Sequence, residues 1–229
     1  MEFYFILVEP AVPGNIGASA RAIKTMGFKL LRLVRPCNYL DEEAVKMAHG
    51  SVDILQKSEI YTSFNEARED IDLVIGTTAK KRSTRADYHN CSDLPGLIRD
   101  KGDSIKSVGI VFGREESGLT NSELKICDLV TRIPMIADYP SLNLAQAVMV
   151  YAYILSYLIL KPGGIMRSIR NEEGLKELKR KTDIILTNLA IDKNPTLYHR
   201  IMERLIILGE DDIHLLHSIA NKFQEKYGK

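Results

Sequence analysis

Three short segments hold the residues of this chain best suited to chemistry. The first, Pro13-Gly14-Asn15-Ile16-Gly17-Ala18-Ser19-Ala20-Arg21, comes shortly after the apolar run Phe3–Val8. Asn15 reads as a helix N-cap, and Gly17 leaves the first turn bare, so the helix start would offer N–H groups to an anion such as a phosphate. Arg21 stands about one and a half turns further in, with Ala18, Ala20 and Ala22 leaving room beside it. The second segment, Val111-Phe112-Gly113-Arg114-Glu115-Glu116-Ser117-Gly118-Leu119, ends a strand in Phe-Gly and adds a second glycine, a place where backbone can approach a ligand closely. Glu115 or Glu116 can accept hydrogen bonds there from ribose or amino groups. The third runs from Ile133 to Ala147. Asp138-Tyr139-Pro140 forces a bend, Ser141 is placed to cap the apolar helix that follows, and Asn143 falls in its first turn. Taken singly, each is equally the pattern of an ordinary strand-to-helix turn, a glycine loop with solvated acids, or a capped core helix.

Other chemistries fit less well. The first loop reads GxxGxxA where a dinucleotide site needs GxGxxG, and the second strand ends in Arg35 where an acidic residue would hold a ribose. Both departures weaken a nicotinamide-dependent oxidoreductase, and no Walker A sequence is present. Cys37, Cys91 and Cys127 are far apart with no CxxC pair, the pattern of ordinary thiols in a reducing compartment. His214 and His217 lie three residues apart without a suitable Cys or acidic partner, so a surface pair is expected and no metal site.

These segments need elements to position them. Strands are expected at Phe3–Val8, Leu30–Val34, Leu73–Gly76, Val108–Phe112 and Leu129–Ile133, alternating with helices at Asn15–Met26, Glu42–His49, Phe64–Arg68, Leu94–Lys101 and Asn121–Ile126. That alternation, with strands nearly continuous in Val, Ile and Leu, predicts an α/β fold with a parallel sheet covered by helices on both faces. Lys161-Pro162-Gly163-Gly164 is the clearest break, giving a first domain at 1–160 and an all-helical extension at 161–229. In the extension, stripes at Leu175/Leu178/Thr182/Ile185/Leu189, Leu197/Ile201/Leu205/Leu208 and Leu216/Ile219/Phe223 predict three amphipathic helices. The apolar run Ala147–Leu160 contains Ser156 and is shorter than the roughly 18 residues of a membrane helix. The N-terminal apolar run lacks a basic flank and a cleavage site, so a cytoplasmic protein without a membrane association is expected. With 31 Lys and Arg against 30 Asp and Glu, the net charge is +1, so any nucleic-acid contact must come from local clusters.

Taken together and in order, the three segments resemble the motifs of the SpoU/TrmH family of the SPOUT superfamily. Asn15, Gly17 and Arg21 match N-x-G-x-x-x-R; Phe112, Gly113, Glu115, Gly118 and Leu119 match F-G-x-E-x-x-G-L; Ser141-Leu142-Asn143 matches S-L-N. Arg21–Gly27 and Ser141–Val148 are most similar to the TrmJ/LasT group, and Ala145 stands where many relatives carry Ser. The resemblance spans about residues 3–160, and the helical tail is also like that group. It implies a SPOUT fold whose C-terminal part is tied into a deep trefoil knot, against the general rule that chains do not knot. The knot-forming segments would be Leu73–Lys80, Val108–Leu119 and Ile133–Leu160. It further implies a homodimer in which two subunits build each site, and S-adenosylmethionine as cofactor, contacted by Thr77, Thr78, Ala79, Gly113, Ile133, Ser141, Leu142 and Asn143. The reaction implied is methylation of an RNA ribose 2′-hydroxyl, in tRNA first and rRNA second, with Arg21, Asn15 and Ser141 as catalytic residues. Removing a proton from an arginine at pH 7 costs roughly 7–9 kcal/mol, so Arg21 is expected to grip a phosphate and lower the hydroxyl pKa. RNA would be attracted by Lys80, Lys81, Arg82 and Arg85, and by Arg167, Arg170, Lys179, Arg180 and Lys181. An RNA-binding dimer of the same fold without turnover is the alternative.

Overall fold

The structure, a computed structural model, describes residues 1–79, 87–136, 142–160 and 174–227. In chain order the elements are β1 (Glu2–Val8), α1 (Pro13–Thr25), β2 (Leu30–Val34), α2 (Glu42–Ala48), α3 (Val52–Gln56), β3 (Glu59–Tyr61), α4 (Phe64–Arg68), β4 (Leu73–Thr77), β5 (His89–Asn90), α5 (Leu94–Arg99), β6 (Ser107–Phe112), α6 (Asn121–Lys125), β7 (Leu129–Arg132), α7 (Leu144–Leu160), α8 (Leu175–Asn188), α9 (Pro195–Ile206) and α10 (Glu210–Tyr227). The described residues fall into two compact units: Met1–Pro95 with Ser107–Pro162, and Gly96–Lys106 with Gly163–Lys229.

The first unit is built on a seven-stranded sheet of order β3-β2-β1-β6-β4-β7-β5. Every pairing is parallel, and the register sets Val8 beside Val34, Leu7 beside Phe112, Gly76 beside Val111 and Thr77 beside Thr131. The C-terminal ends of the central strands therefore come out along one edge. The five expected strands are present. The two additions, β3 and β5, are the edges of the sheet, and at three and two residues they are too short to leave a periodic trace in the sequence.

Both faces of the sheet are covered. One carries Ile6, Val8, Val34, Val74, Val111 and Val130 against Phe64, Ala67, Leu119 and Leu124. The other carries Phe3, Phe5 and Phe112, whose rings meet Phe28 and Tyr151 at centroid separations of 5.2–5.4 Å, with Phe5 and Phe112 stacked at 6.4 Å. Phe5 is fully buried, which stabilises by about 1.5–3 kcal/mol relative to exposure. Helix α1 packs on α7 and on α2. It meets α2 so closely at Gly17 that a Cβ there would collide with the Ala44 carbonyl. Arg32, only 3% exposed on β2, is held by both oxygens of Asp70 at 2.6 and 2.8 Å and lies 4.1 Å over the Tyr4 ring.

The second unit brings α8, α9 and α10 together with the short segment Gly96–Lys106. Lys101, fully buried, donates from Nζ to the Leu208 carbonyl, and the Glu210 N–H donates to the Asp100 carbonyl at 2.7 Å. Two expectations are corrected here. His217 is buried, with Nε2 3.1 Å from the Gly174 carbonyl, because Ile213, His217 and Ala220 recur at helical spacing on the inward face of α10. Lys181 is also buried and donates to Asn221 at 2.7 Å, so it faces α10 and not RNA. Leu216 and Ile219 do turn toward Leu197, Ile201, Leu205 and Leu208, but around an open apolar groove of about 510 Å³. Ile219 stays 64% exposed. Among the described residues no helix is long and apolar enough to cross a membrane, and no group of three or more His, Cys, Asp or Glu is placed to hold a metal.

Candidate active site

A cavity of about 370 Å³ opens where β4, β6 and β7 end. Ligands in parallel sheets bind at such carboxyl ends, where successive loops diverge. Six of the eight residues expected at the cofactor line it: Thr77, Thr78, Ala79, Gly113, Ile133 and Leu142. Asn143 does not line it, and Ser141 lies outside the described residues, as do Lys80, Lys81, Arg82, Arg85, Arg167 and Arg170.

Backbone and hydroxyl bonds make the floor rigid. Thr77 Oγ1 donates to the Val111 carbonyl at 2.8 Å, tying β4 to β6, and the Thr78 N–H donates to Thr131 at 3.0 Å. Thr131 Oγ1 in turn lies 2.8 Å from the Tyr151 hydroxyl, whose ring packs edge-on to Phe112. Burial pushes the Tyr151 hydroxyl well above its ordinary pKa, so it works as a neutral hydrogen-bonding group. The sequence does not single out Tyr151. Its one signal is a hydroxyl-bearing ring within the apolar run that forms α7. Across the cavity, Gly113 and Gly118 close a tight loop in which the Gly118 N–H donates to the Arg114 carbonyl at 2.8 Å. A Cβ on Gly113 would run into the Gly118–Leu119 backbone.

The three motifs meet beside this cavity through one carboxylate. Glu115 accepts from the N–H groups of Ala11 and Val12 at 3.0 and 3.3 Å and from Asn15 Nδ2 at 3.1 Å. Asn15 Oδ1 accepts from Asn143 Nδ2 at 2.7 Å, and Asn143 Oδ1 accepts from the Ala145 N–H at 2.9 Å. The polarity of this chain is fixed from one end: a carboxylate can only accept, so each amide must turn its nitrogen toward Glu115. Burial raises the Glu115 pKa, but the bonds from Ala11, Asn15 and Val12 outweigh it and hold the carboxyl below the usual range.

Three sequence expectations change at this junction. Asn15 is not the N-cap of α1. The helix begins at Pro13, whose missing N–H costs nothing at that position, and the cap residue Val12 offers no side-chain bond. That frees the Asn15 amide to join the other motifs. The N–H groups of Ala11 and Val12, which lead into α1, are already occupied by Glu115 and not open to an outside anion. Likewise Asn143 caps α7, a place expected of Ser141, which lies outside the described residues. Asn143 immediately precedes Leu144, accepts from the Ala145 N–H through Oδ1, and donates its own N–H to Gln146 Oε1 at 3.1 Å.

The second loop is braced by charge. Arg114 donates to both oxygens of Glu123 at 3.0 and 3.1 Å and, from Nε, to Glu9 at 2.6 Å. Glu123 also closes a capping box with Thr120 at the start of α6. Arg21 is not brought to the cavity. It is exposed on the flank of α1 that carries Gly14 and Gly17 toward α2, about 120° around the helix from Asn15, with no hydrogen-bond or ion-pair partner among the described residues.

Such a site offers a small apolar chamber with glycine backbone for a nucleoside-sized group, and beside it a rigid row of amides for a polar substrate. Residues 2–153 match the SpoU rRNA Methylase family, and residues 172–227 match the C-terminal domain of the tRNA/rRNA methyltransferase LasT. An uncharacterized tRNA/rRNA methyltransferase LasT of Escherichia coli (strain K12) is 38% identical over 229 residues, 100% of both chains. A tRNA (cytidine-2′-O-)-methyltransferase TrmJ of Methanocaldococcus jannaschii is 34% identical over 221 residues, 90% of this chain and 93% of the relative. The crystal structure of TrmJ from Z. mobilis ZM4 superposes with a TM-score of 0.65 at 26% identity, covering 98% of this chain and 100% of that one. Family match, full-length relatives and fold agree: the chain belongs to the SpoU methylase family of RNA methyltransferases, in its LasT/TrmJ group.

Proposed function

We propose that this chain methylates a ribose 2′-hydroxyl of tRNA, using S-adenosylmethionine, and that the motif junction around Glu115 positions the ribose. The observation that carries this reading is the continuous row from Glu115 through Asn15 to Asn143 beside the cavity. The cavity residues fit the cofactor. Its volume lies within the usual range for small-ligand sites, its walls are largely apolar, and the Gly113 backbone leaves space that a side chain would fill. Thr77, Thr78, Ala79, Gly113, Ile133 and Leu142 would hold it, with Ser141 and Asn143 from the third motif. When bound, S-adenosylmethionine supplies an electrophilic methyl group on a sulfonium.

The protein's part is alignment and proton management. Asn15 and Asn143 are fixed by each other and by Glu115, so they meet a substrate without first losing side-chain freedom. Arg21 acts as a cation gripping an RNA phosphate and lowering the hydroxyl pKa. Because it stands off the cavity of its own protomer, the second subunit of a homodimer would supply it, and the knot implied by the family would seat the cofactor. The cationic run Lys80–Arg85 would attract RNA, and the helical unit would add RNA or dimer contacts. The three free thiols suit the cytoplasm.

Nucleoside mass spectrometry of RNA from cells with and without the gene tests the reading. Loss of one 2′-O-methylnucleoside from the tRNA fraction is expected. Loss confined to rRNA would move the substrate to rRNA, and no loss would favour an RNA-binding dimer without turnover.

A further inference from the structure

The exposed guanidinium of Arg35 is unusually well aimed for a surface side chain. Arg35 follows β2 on the same edge of the sheet as the cavity, and its Nη2 contacts Glu9 Oε1. The other Glu9 oxygen is held by Arg114 Nε at 2.6 Å, and Arg114, a wall of the cavity, is itself fixed by both oxygens of Glu123. Arg35 is thus the outer end of a relay, Glu123–Arg114–Glu9–Arg35, that passes through the cavity wall at Arg114. Exposure rises along it, from 14% at Glu123 and 22% at Arg114 to 30% at Glu9 and 60% at Arg35.

The backbone supports the same placement. Glu9 and Arg35 both adopt left-handed conformations, with φ of 49° and 45°, although neither is glycine. Strained non-glycine residues of this kind cluster at active sites and ligand clamps. Here the two sit side by side, the Glu9 N–H donating to the Val34 carbonyl at 2.8 Å and the Arg35 N–H to the Tyr61 carbonyl at 3.0 Å. Among the described residues only Nη2 of Arg35 is engaged, so Nε and Nη1 keep donors for a second acceptor. A planar guanidinium fork matches the geometry of a phosphate as it does that of a carboxylate, and phosphates are the acceptors an RNA backbone presents.

We infer that Arg35 is an RNA-phosphate-binding residue, pre-oriented by Glu9, that sets the backbone of the substrate strand relative to the cavity. This rests on the proposed RNA reading and adds a residue outside the three motifs. The test compares the full-length parent with Arg35→Ala and Arg35→Lys, measuring tRNA affinity across a salt series, steady-state methyl transfer and thermal midpoint. Arg35→Ala is expected to raise the tRNA Kd and KM by about tenfold and to reduce the slope of log Kobs against log salt by roughly 0.7–0.9, one phosphate contact. Its kcat should stay within about twofold, S-adenosylmethionine affinity should not change, and Arg35→Lys should restore the slope but only part of the affinity. An Arg35→Ala slope and KM equal to the parent's would overturn the inference, as would a lowered thermal midpoint with an unchanged slope, which marks a purely structural ion pair. A parent that binds no RNA overturns this inference and the reading beneath it. A parent that binds and methylates tRNA while the variant does the same overturns this inference alone.

Discussion

Replacing Glu115 with Gln is the sharpest perturbation of the motif junction, because it changes charge and acceptor number at almost constant shape. The carboxylate accepts three bonds, from the Ala11 and Val12 N–H groups and from Asn15 Nδ2. A glutamine has one acceptor oxygen with two lone pairs, and its NH₂ would face a donor. At least one bond is lost and the others become neutral. Hydrogen bonds to charged groups contribute about 1.5–3 kcal/mol each, and the partly exposed setting favours the lower end, so Glu115→Gln should destabilise by about 1.5–2 kcal/mol. For a chain of this size that is a fall in thermal midpoint of roughly 3–8 °C. The larger effect should be catalytic. Asn15 loses its anchor and Asn143 loses Asn15, and a displacement of about 1 Å in a positioning group costs on the order of 100-fold in rate. Differential scanning fluorimetry and kcat/KM for methyl transfer read the two effects. In a double-mutant cycle with Asn15→Ala the losses should fall well short of additive, because both substitutions break one unit. A Glu115→Gln enzyme within about threefold of the parent, with strictly additive behaviour, would refute the role given to this junction.

Gly17→Ala should lower the thermal midpoint sharply, because the new Cβ meets the Ala44 carbonyl and α1 must move off α2; overpacking of this kind costs about 1–3 kcal/mol or more, and chemical denaturation measures it. Tyr151→Phe removes the hydroxyl bonded to Thr131 under the cavity and should cost about 1 kcal/mol while weakening S-adenosylmethionine binding, as calorimetry would record. Acid should destabilise the protein through the braces of the second loop. Burial raises the Glu123 pKa, but its bonds from Arg114 and Thr120 hold it below the usual value. Its contribution is therefore complete above the unfolded carboxylate pKa of about 4.3 and is lost as pH falls through the lower folded value. Thermal midpoints measured from pH 7 downward should hold until about pH 5 and then drop, with a shallower drop in Glu123→Gln.

Much of the scaffold was legible because its signals are local. Phe3–Val8 and Val108–Phe112 are continuous apolar runs, as strands buried on both faces must be, and the helices between them follow from spacing. The cavity residues at Thr77–Ala79 and Gly113 were legible from motif resemblance and the ends of those strands. What stayed hidden depends on distance in the chain. Asn15 looked like a cap because its type and position suit one, but its partners lie 100 and 128 residues away at Glu115 and Asn143. His217 looked like a surface residue because pattern alone does not say which face of α10 turns inward; the Gly174 carbonyl decides it. The edge strands β3 and β5 arise from pairing with β2 and β7, not from any preference their few residues display.

The central claim is that the site at the motif junction transfers a methyl group to a ribose oxygen of RNA. Incubating the purified chain with tRNA and methyl-labelled S-adenosylmethionine, then hydrolysing the RNA in alkali, tests it most directly. A free 2′-hydroxyl attacks the neighbouring phosphate and the strand is cleaved, whereas a methylated 2′-oxygen cannot attack. Label retained in alkali-resistant dinucleotides, and lost in Arg21→Ala, is the result this account predicts. Label found only in alkali-released mononucleotides, which would place the methyl on a base, or no label at all, would contradict it.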